Sequence, residues 1–186
     1  TRAGVEVPVT WDAYFDAAAA LASRGGVRGW GQRGIDVWHT MYTGYATQVW
    51  SCGGTDFDET GRSAIGSAAV VDATRAFVAA LRASGPDDWP HQRWYELALG
   101  FAAGDYALLV DSDHYAPIFE GSGSAMAGRI GYAMPPSGPA GRRPNLWTWS
   151  LAMNANAADP AAAWAFIGGA SGPDFLLRSA LEGNLN

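Results

Sequence analysis

The sequence contains no lysine. Its 12 basic residues are all arginine, set against 18 acidic ones, for a formal net charge of -6. A nucleic-acid surface needs clustered cations to neutralise phosphates, and a polybasic membrane patch needs them for anionic lipid. Neither role fits this chain. Arginine without lysine, among abundant Ala, Gly and Pro, reads as a GC-rich coding bias rather than a functional signal. The single cysteine, Cys52, excludes an internal disulfide and reads as a small buried hydrophobe rather than a reactive thiol. No apolar run reaches the roughly 20 residues of a membrane-spanning helix. The chain opens at Thr1 rather than Met and carries no signal-peptide pattern, so it reads as processed or trimmed. There is no G-x-S-x-G nucleophile elbow. The glycines of G-G-V-R-G-W-G lack the Lys-Ser/Thr that would complete a phosphate loop. No cofactor motif is present.

Hydrophobic residues make up 48% of the 186 and charged residues 16%, which supports a packed core in one domain or two small lobes. Nine tryptophans exceed what a core of this size requires, leaving some for a binding surface. Thr10 is placed to cap a helix over 11–23, whose Trp11, Tyr14, Phe15, Ala18, Leu21 and Ala22 share one face. The G-W-G-Q-R-G segment reads as a short strand or turn that exposes Arg33. Residues 36–50, with Trp38, His39, Tyr42, Tyr45 and Trp50, read as a helix. C-G-G-T-D-F-D-E-T-G is a loop, and further helices are expected over 67–83 and 91–103, the latter closed by Gly104. Strands are expected at Tyr106–Val110, Arg129–Met134 and Trp147–Met153, the second ended by Pro135-Pro136. Asp159-Pro160 starts a helix over 160–168, and Ser171-Gly-Pro-Asp starts a last one. Helices alternating with single strands indicate an α/β fold.

The densest polar cluster is Asp111-Ser112-Asp113-His114, directly after the apolar strand. Ligands of open α/β sheets bind beyond the carboxyl ends of strands. A carboxylate there can accept two hydroxyl hydrogen bonds, which suits a sugar or polyol. A solvated Asx-turn is the plain alternative. D-x-D-H also offers metal-ligand types, but adjacent Asp and His point apart and no second pair at metal spacing supports them, so no metal is expected. Trp147 and Trp149 flank Thr148 and would share one strand face, as core or as a stacking platform for sugar C–H faces. Arg33 sits between glycines and is a surface charge or a ligand contact. Tyr42 and His39 lie on the Trp-rich segment, where core packing is the simpler reading. His91 and Arg93 carry no pattern and read as solvent-facing.

Six segments occur in an order that resembles one family. P-V-T-W-D-A-Y is similar to its P-x-T-W-D/E-E helix start, and G-W-G-Q-R-G to a G-x-x-x-R-G strand of polyol binders. S-C-G-G-T-D-F-D is similar to a G-G-x-x-F/Y-D loop, and F-A-A-G-D-Y-A-L to F-x-x-G-x-x-A-M. G-Y-A-M-P-P-S-G-P is similar to G-x-x-x-x-P-x-G-P, and W-S-L-A-M-N with A-A-A-W-A-F to a G-W-x-x-A/G-I strand and its A-A-W-x-F helix. Each is weak alone; together they resemble the extracellular (periplasmic) solute-binding proteins of ABC importers, in the sugar and polyol branch. The resemblance implies a type II periplasmic-binding-protein fold with two lobes closing by hinge bending. It further implies that the chain is a fragment: residues 1–133 as the second lobe, and 134–186 as the crossover and a returning part of the first. Ligand contacts would fall on Arg33, Tyr42, Asp111, Asp113, His114, Trp147 and Trp149. Many members carry an aromatic where His114 stands and glycines where Trp147 and Thr148 stand. The implied role is capture of a small carbohydrate or polyol outside the cytoplasm, in the periplasm or as a cell-surface lipoprotein. Delivery would be to ABC permease subunits, with no cofactor, no nucleic acid and only indirect membrane contact. The competing expectation is a carbohydrate-active hydrolase using Asp111 or Asp113.

Overall fold

The structure is a computed structural model that describes residues 4–35 and 43–182. It divides into two compact units: residues 1–112 with 118–145, and residues 113–117 with 146–186.

The first unit is built around one pair of parallel strands. Helix α1 (Trp11–Ala22) starts where expected, because the Thr10 hydroxyl accepts a hydrogen bond from the Ala13 amide at 3.3 Å. It buries Trp11, Tyr14, Ala17 and Ala18. Strand β1 (Arg28–Gly31) follows. Helix α2 (Gly44–Ser51) occupies the described part of the segment expected as helix over 36–50. Helix α3 (Ala68–Ser84), close to the expected 67–83, buries Val70, Ala73, Phe77 and Leu81 along one face. A short 3-10 turn (Trp89–His91) leads to α4 (Trp94–Ala103). Gly104 adopts φ 92, the left-handed conformation that glycine takes without strain, and lets the chain reverse into strand β2 (Tyr106–Leu109). Pairing of β1 with β2 is parallel, with Arg28 opposite Tyr106, Trp30 opposite Leu108 and Gly31 opposite Leu109.

Trp30 is the centre of the core, 1% exposed. It meets Phe77 edge-on at 5.2 Å between ring centroids and Tyr14 at 5.8 Å, so α1, β1 and α3 share one aromatic cluster. Val49, Val70 and Ala73 tie α2 to α3 in a second cluster. Beyond the short helix α5 (Ala116–Glu120), residues 137–145 lie against this unit. Ser137 exchanges backbone hydrogen bonds with Val9 and Trp11. The Ser51 hydroxyl accepts from the Arg143 amide, and the Thr47 hydroxyl accepts from the Asn145 amide.

The second unit contains α6 (Pro160–Ala170) and α7 (Pro173–Leu181). The Asp159 carboxylate caps α6 by accepting from the Ala162 amide at 2.9 Å, with Pro160 in the first turn, as the sequence indicated. Neither helix buries a residue within the described chain, although α6 is apolar around its whole circumference.

Two expected strands are absent. Residues 129–134 and 147–153 have no regular secondary structure. A strand exists only as one side of a ladder, and no described segment pairs with either stretch. Arg33 also departs from expectation: it is buried rather than exposed. Among the described residues no helix is long and apolar enough to cross a membrane.

Candidate functional site

Because β1 and β2 run parallel in fixed register, positions 78 apart in sequence face each other. Carried two residues past the strand ends, that register sets Arg33 opposite Asp111. The guanidinium grips the carboxylate with both arms: Nε donates to Oδ2 at 2.8 Å, and Nη2 donates to Oδ1. The backbone N–H of Ser112 donates to the same Oδ1 at 2.7 Å. Three of the roughly four lone-pair positions of the carboxylate are therefore filled from within the chain. The side chains are 8% and 2% exposed, so this is a bidentate, largely desolvated pair at the carboxyl ends of the two strands.

Neighbouring residues fix it. Gln32, also buried, donates from its amide nitrogen to the Arg33 carbonyl at 2.8 Å. Past Arg33 the amides of Gly34 and Ile35 donate to the Gln92 carbonyl. A Cβ on Gly34 would lie 2.1 Å from the Trp89 carbonyl oxygen, so only glycine lets the chain pass that turn. The Tyr14 hydroxyl is buried with no hydrogen-bond partner among the described residues. Burial first, and the negative charge of Asp111 second, push its ionisation far above the ordinary tyrosine value, so it remains a neutral donor. Neither Gln32 nor Tyr14 was a candidate from sequence. Tyr14 was legible only as part of a buried stripe, and the Gln32 contact to its own neighbour's carbonyl has no sequence signal.

The other described candidates lie in the second unit. Asp113 and His114 belong to the second unit; Asp113 is exposed and His114 half-buried, in a 3-10 turn over Asp113–Tyr115. Trp147 and Trp149 lie 43% and 80% exposed, with ring centroids 6.1 Å apart and planes at 65°. They form a corner rather than a flat two-ring platform, since no strand holds them on one face. Tyr42, with His39 and Trp38, lies outside the described residues. No group of three or more His, Cys, Asp or Glu able to hold a metal occurs among the described residues.

A broad depression of about 890 Å³ lies at the other end of the strand pair, lined by Arg28, Asp87, Asp88, Glu96, Asp105 and Tyr106 among others. It is wide open and sits at the amino ends of both strands, where Arg28 and Asp87 make an exposed ion pair at 2.9 Å. Strand polarity favours the Arg33–Asp111 end as the ligand site.

Comparison with known proteins agrees with this architecture. An erythritol/L-threitol-binding protein of Mycolicibacterium smegmatis is 30% identical over 99% of this chain. A solute-binding protein of an ABC transporter from Agrobacterium radiobacter, solved with ribitol, superposes with a TM-score of 0.84 at 21% identity over the whole chain. One from Agrobacterium vitis, solved with D-mannitol, superposes at 0.80 with 26% identity over 99% of it. The chain spans 40% of the length of the curated relative and 45–47% of these two structures. The α/β fold is thus that of the periplasmic-type solute-binding proteins. The relatives are named as binding proteins, which the hydrolase expectation for Asp111 and Asp113 does not match. The model of the bacterial extracellular solute-binding proteins matches residues 1–180, and the chain belongs to that family.

Proposed function

We propose that the protein containing this chain captures a polyol or sugar outside the cytoplasm, in the periplasm or as a cell-surface lipoprotein, and presents it to the permease of an ABC importer. The observation that carries the reading is the buried Arg33–Asp111 pair at the carboxyl ends of two parallel strands. Fixed polar groups at that edge orient a polyhydroxylated ligand. The named ligand of the 30%-identical relative, a four-carbon polyol, is of the same chemical class. Arg33 and Asp111 are the contacts the geometry supports best; Asp113, His114, Trp147, Trp149 and Tyr42 remain proposed contacts.

Residues 1–133 serve in this reading as one lobe, and 134–186 as the crossover and a returning part of the other. The exposed apolar surface of α6 and α7 supports that organisation, since a helix apolar on all sides is one that belongs inside a core. The test is calorimetric titration of the intact protein with four- to six-carbon polyols and with hexoses, together with thermal shift. A ligand present at about 100 times its dissociation constant adds about 2.7 kcal/mol of stability. Absence of heat and of any shift across the whole panel refutes the assignment.

A further inference from the structure

We infer that the Arg33–Asp111 pair is a charge filter: it makes the site select uncharged polyols against the corresponding sugar acids. The inference rests on the polyol-binding reading above and specifies its ligand class.

An arginine at a binding edge ordinarily recognises carboxylates, because Nε and one Nη form a fork that matches two carboxylate oxygens. Here that fork is already filled. Nε and Nη2 of Arg33 both donate to Asp111, whose carboxylate is held a third time by the Ser112 amide. The internal carboxylate therefore stands where the carboxylate of an acidic ligand would bind. An incoming anion would have to displace a side chain that is 2% exposed and held by three donors, or settle beside it without a countercharge. Like charges brought together in a desolvated site oppose binding strongly. A hydroxyl group carries no charge: it needs no countercharge, and settling beside the pair costs it no like-charge repulsion.

The surroundings lean the same way. Burial first, and the charge of Asp111 second, keep Tyr14 protonated, so it adds no charge of its own to this region. The chain as a whole carries a net charge of -6. Exclusion of acids is thus achieved by a repulsive element built beside the attractive ones.

The experiment titrates the intact protein calorimetrically with erythritol and ribitol, and with erythronate and ribonate, at neutral pH. The wild type should bind at least one polyol about tenfold or more tighter than its acid counterpart. Asp111→Asn removes the negative charge held against the arginine fork and should narrow or reverse that ratio by about tenfold. Because a lone buried guanidinium can prevent folding, the Arg33→Gln/Asp111→Asn double variant is measured beside it; with the local charge again zero, it should regain preference for the neutral ligand. Equal affinity of the wild type for a polyol and its acid overturns the inference while leaving the polyol reading intact. A folded Asp111→Asn variant with an unchanged ratio also overturns it, as does a double variant that prefers the acid. Failure of the wild type to bind either class overturns both readings.

Discussion

Replacing Gly29 by alanine places one methyl group where the structure has no room. The added Cβ would lie 2.2 Å from the Ala18 carbonyl oxygen, 2.7 Å from the Ala18 carbonyl carbon and 2.9 Å from the Ser84 Cβ. Ordinary contact begins near 3.4 Å, so the nearest approach is short by 1.2 Å. Two of the three obstacles are backbone atoms of α1, which no rotamer change can move. The helix must shift as a body away from β1, loosening the contacts of Tyr14 and Phe15 with Trp30. Overpacking of a well-filled core costs about 1–3 kcal/mol, and a clash against backbone belongs at the upper end of that range. The matched control is Gly131→Ala, where a Cβ meets nothing within 4 Å and φ is not positive; a change within about 0.5 kcal/mol is expected there. Urea unfolding of the intact protein, followed by tryptophan fluorescence, measures both. If Gly29→Ala is as stable as Gly131→Ala, α1 does not sit against β1 as described, and the placement of Arg33 loses its support.

Two further outcomes are expected. The Asp58 carboxylate accepts from the Thr60 hydroxyl at 2.7 Å and from the Thr60 and Arg62 amides at 2.8 and 3.0 Å, and these bonds, the hydroxyl first, hold its pKa below the ordinary aspartate value. A depressed carboxylate pKa contributes order that is present above the unfolded value and lost as pH falls through the folded one. Carboxyl NMR should therefore show Asp58 titrating below about 3.9, with the Thr60 and Arg62 amides losing protection in the same acidic window; a midpoint at or above that value refutes the turn. The isolated 186-residue chain should also bind a hydrophobic dye through α6 and α7, whose Trp164, Phe166, Phe175 and Leu177 are exposed, whereas the intact protein should not. Equal dye binding by both would show that no other part of the protein covers those faces.

Local chemistry was legible in the sequence wherever the decisive contact is close along the chain. The Thr10 cap, the span of α3, the Gly104 reversal and the Asp159-Pro160 start each depend on atoms within about one helical turn or a few residues, and each is present. Expectation failed where the partner is distant. Residues 129–134 and 147–153 have strand-like composition, but composition does not supply a neighbouring strand. Arg33 was read as exposed because a charged residue between glycines usually is. Its burial depends on Asp111, and that pairing follows only from the register of β1 with β2. Asp111 itself was recognised from its place after a strand, yet the extent to which Arg33 and Ser112 already occupy its oxygens was not.

The glycines of G-W-G-Q-R-G acquire one physical meaning from these contacts. In the sequence they mark a short strand or turn similar to a G-x-x-x-R-G strand. In the structure each is a point of close approach: Gly29 to α1, Gly31 to Leu97 of α4 and Tyr106 of β2, and Gly34 to Trp89. Between them, Trp30 fills the core and Gln32 holds the Arg33 carbonyl. The strand is thereby wedged from several sides, and a rigid wedge is what a long arginine side chain requires if its fork is to meet one carboxylate in one geometry. Arginine carries about 2 kcal/mol of rotamer freedom, which an unsupported edge would have to restrict again at each binding event. Here the restriction is complete before a ligand arrives, so the ligand's contacts need not order the site. The same rigidity makes a charge filter workable: were Arg33 free to swing away from Asp111, an acidic ligand could capture it, and discrimination between a polyol and its acid would be lost.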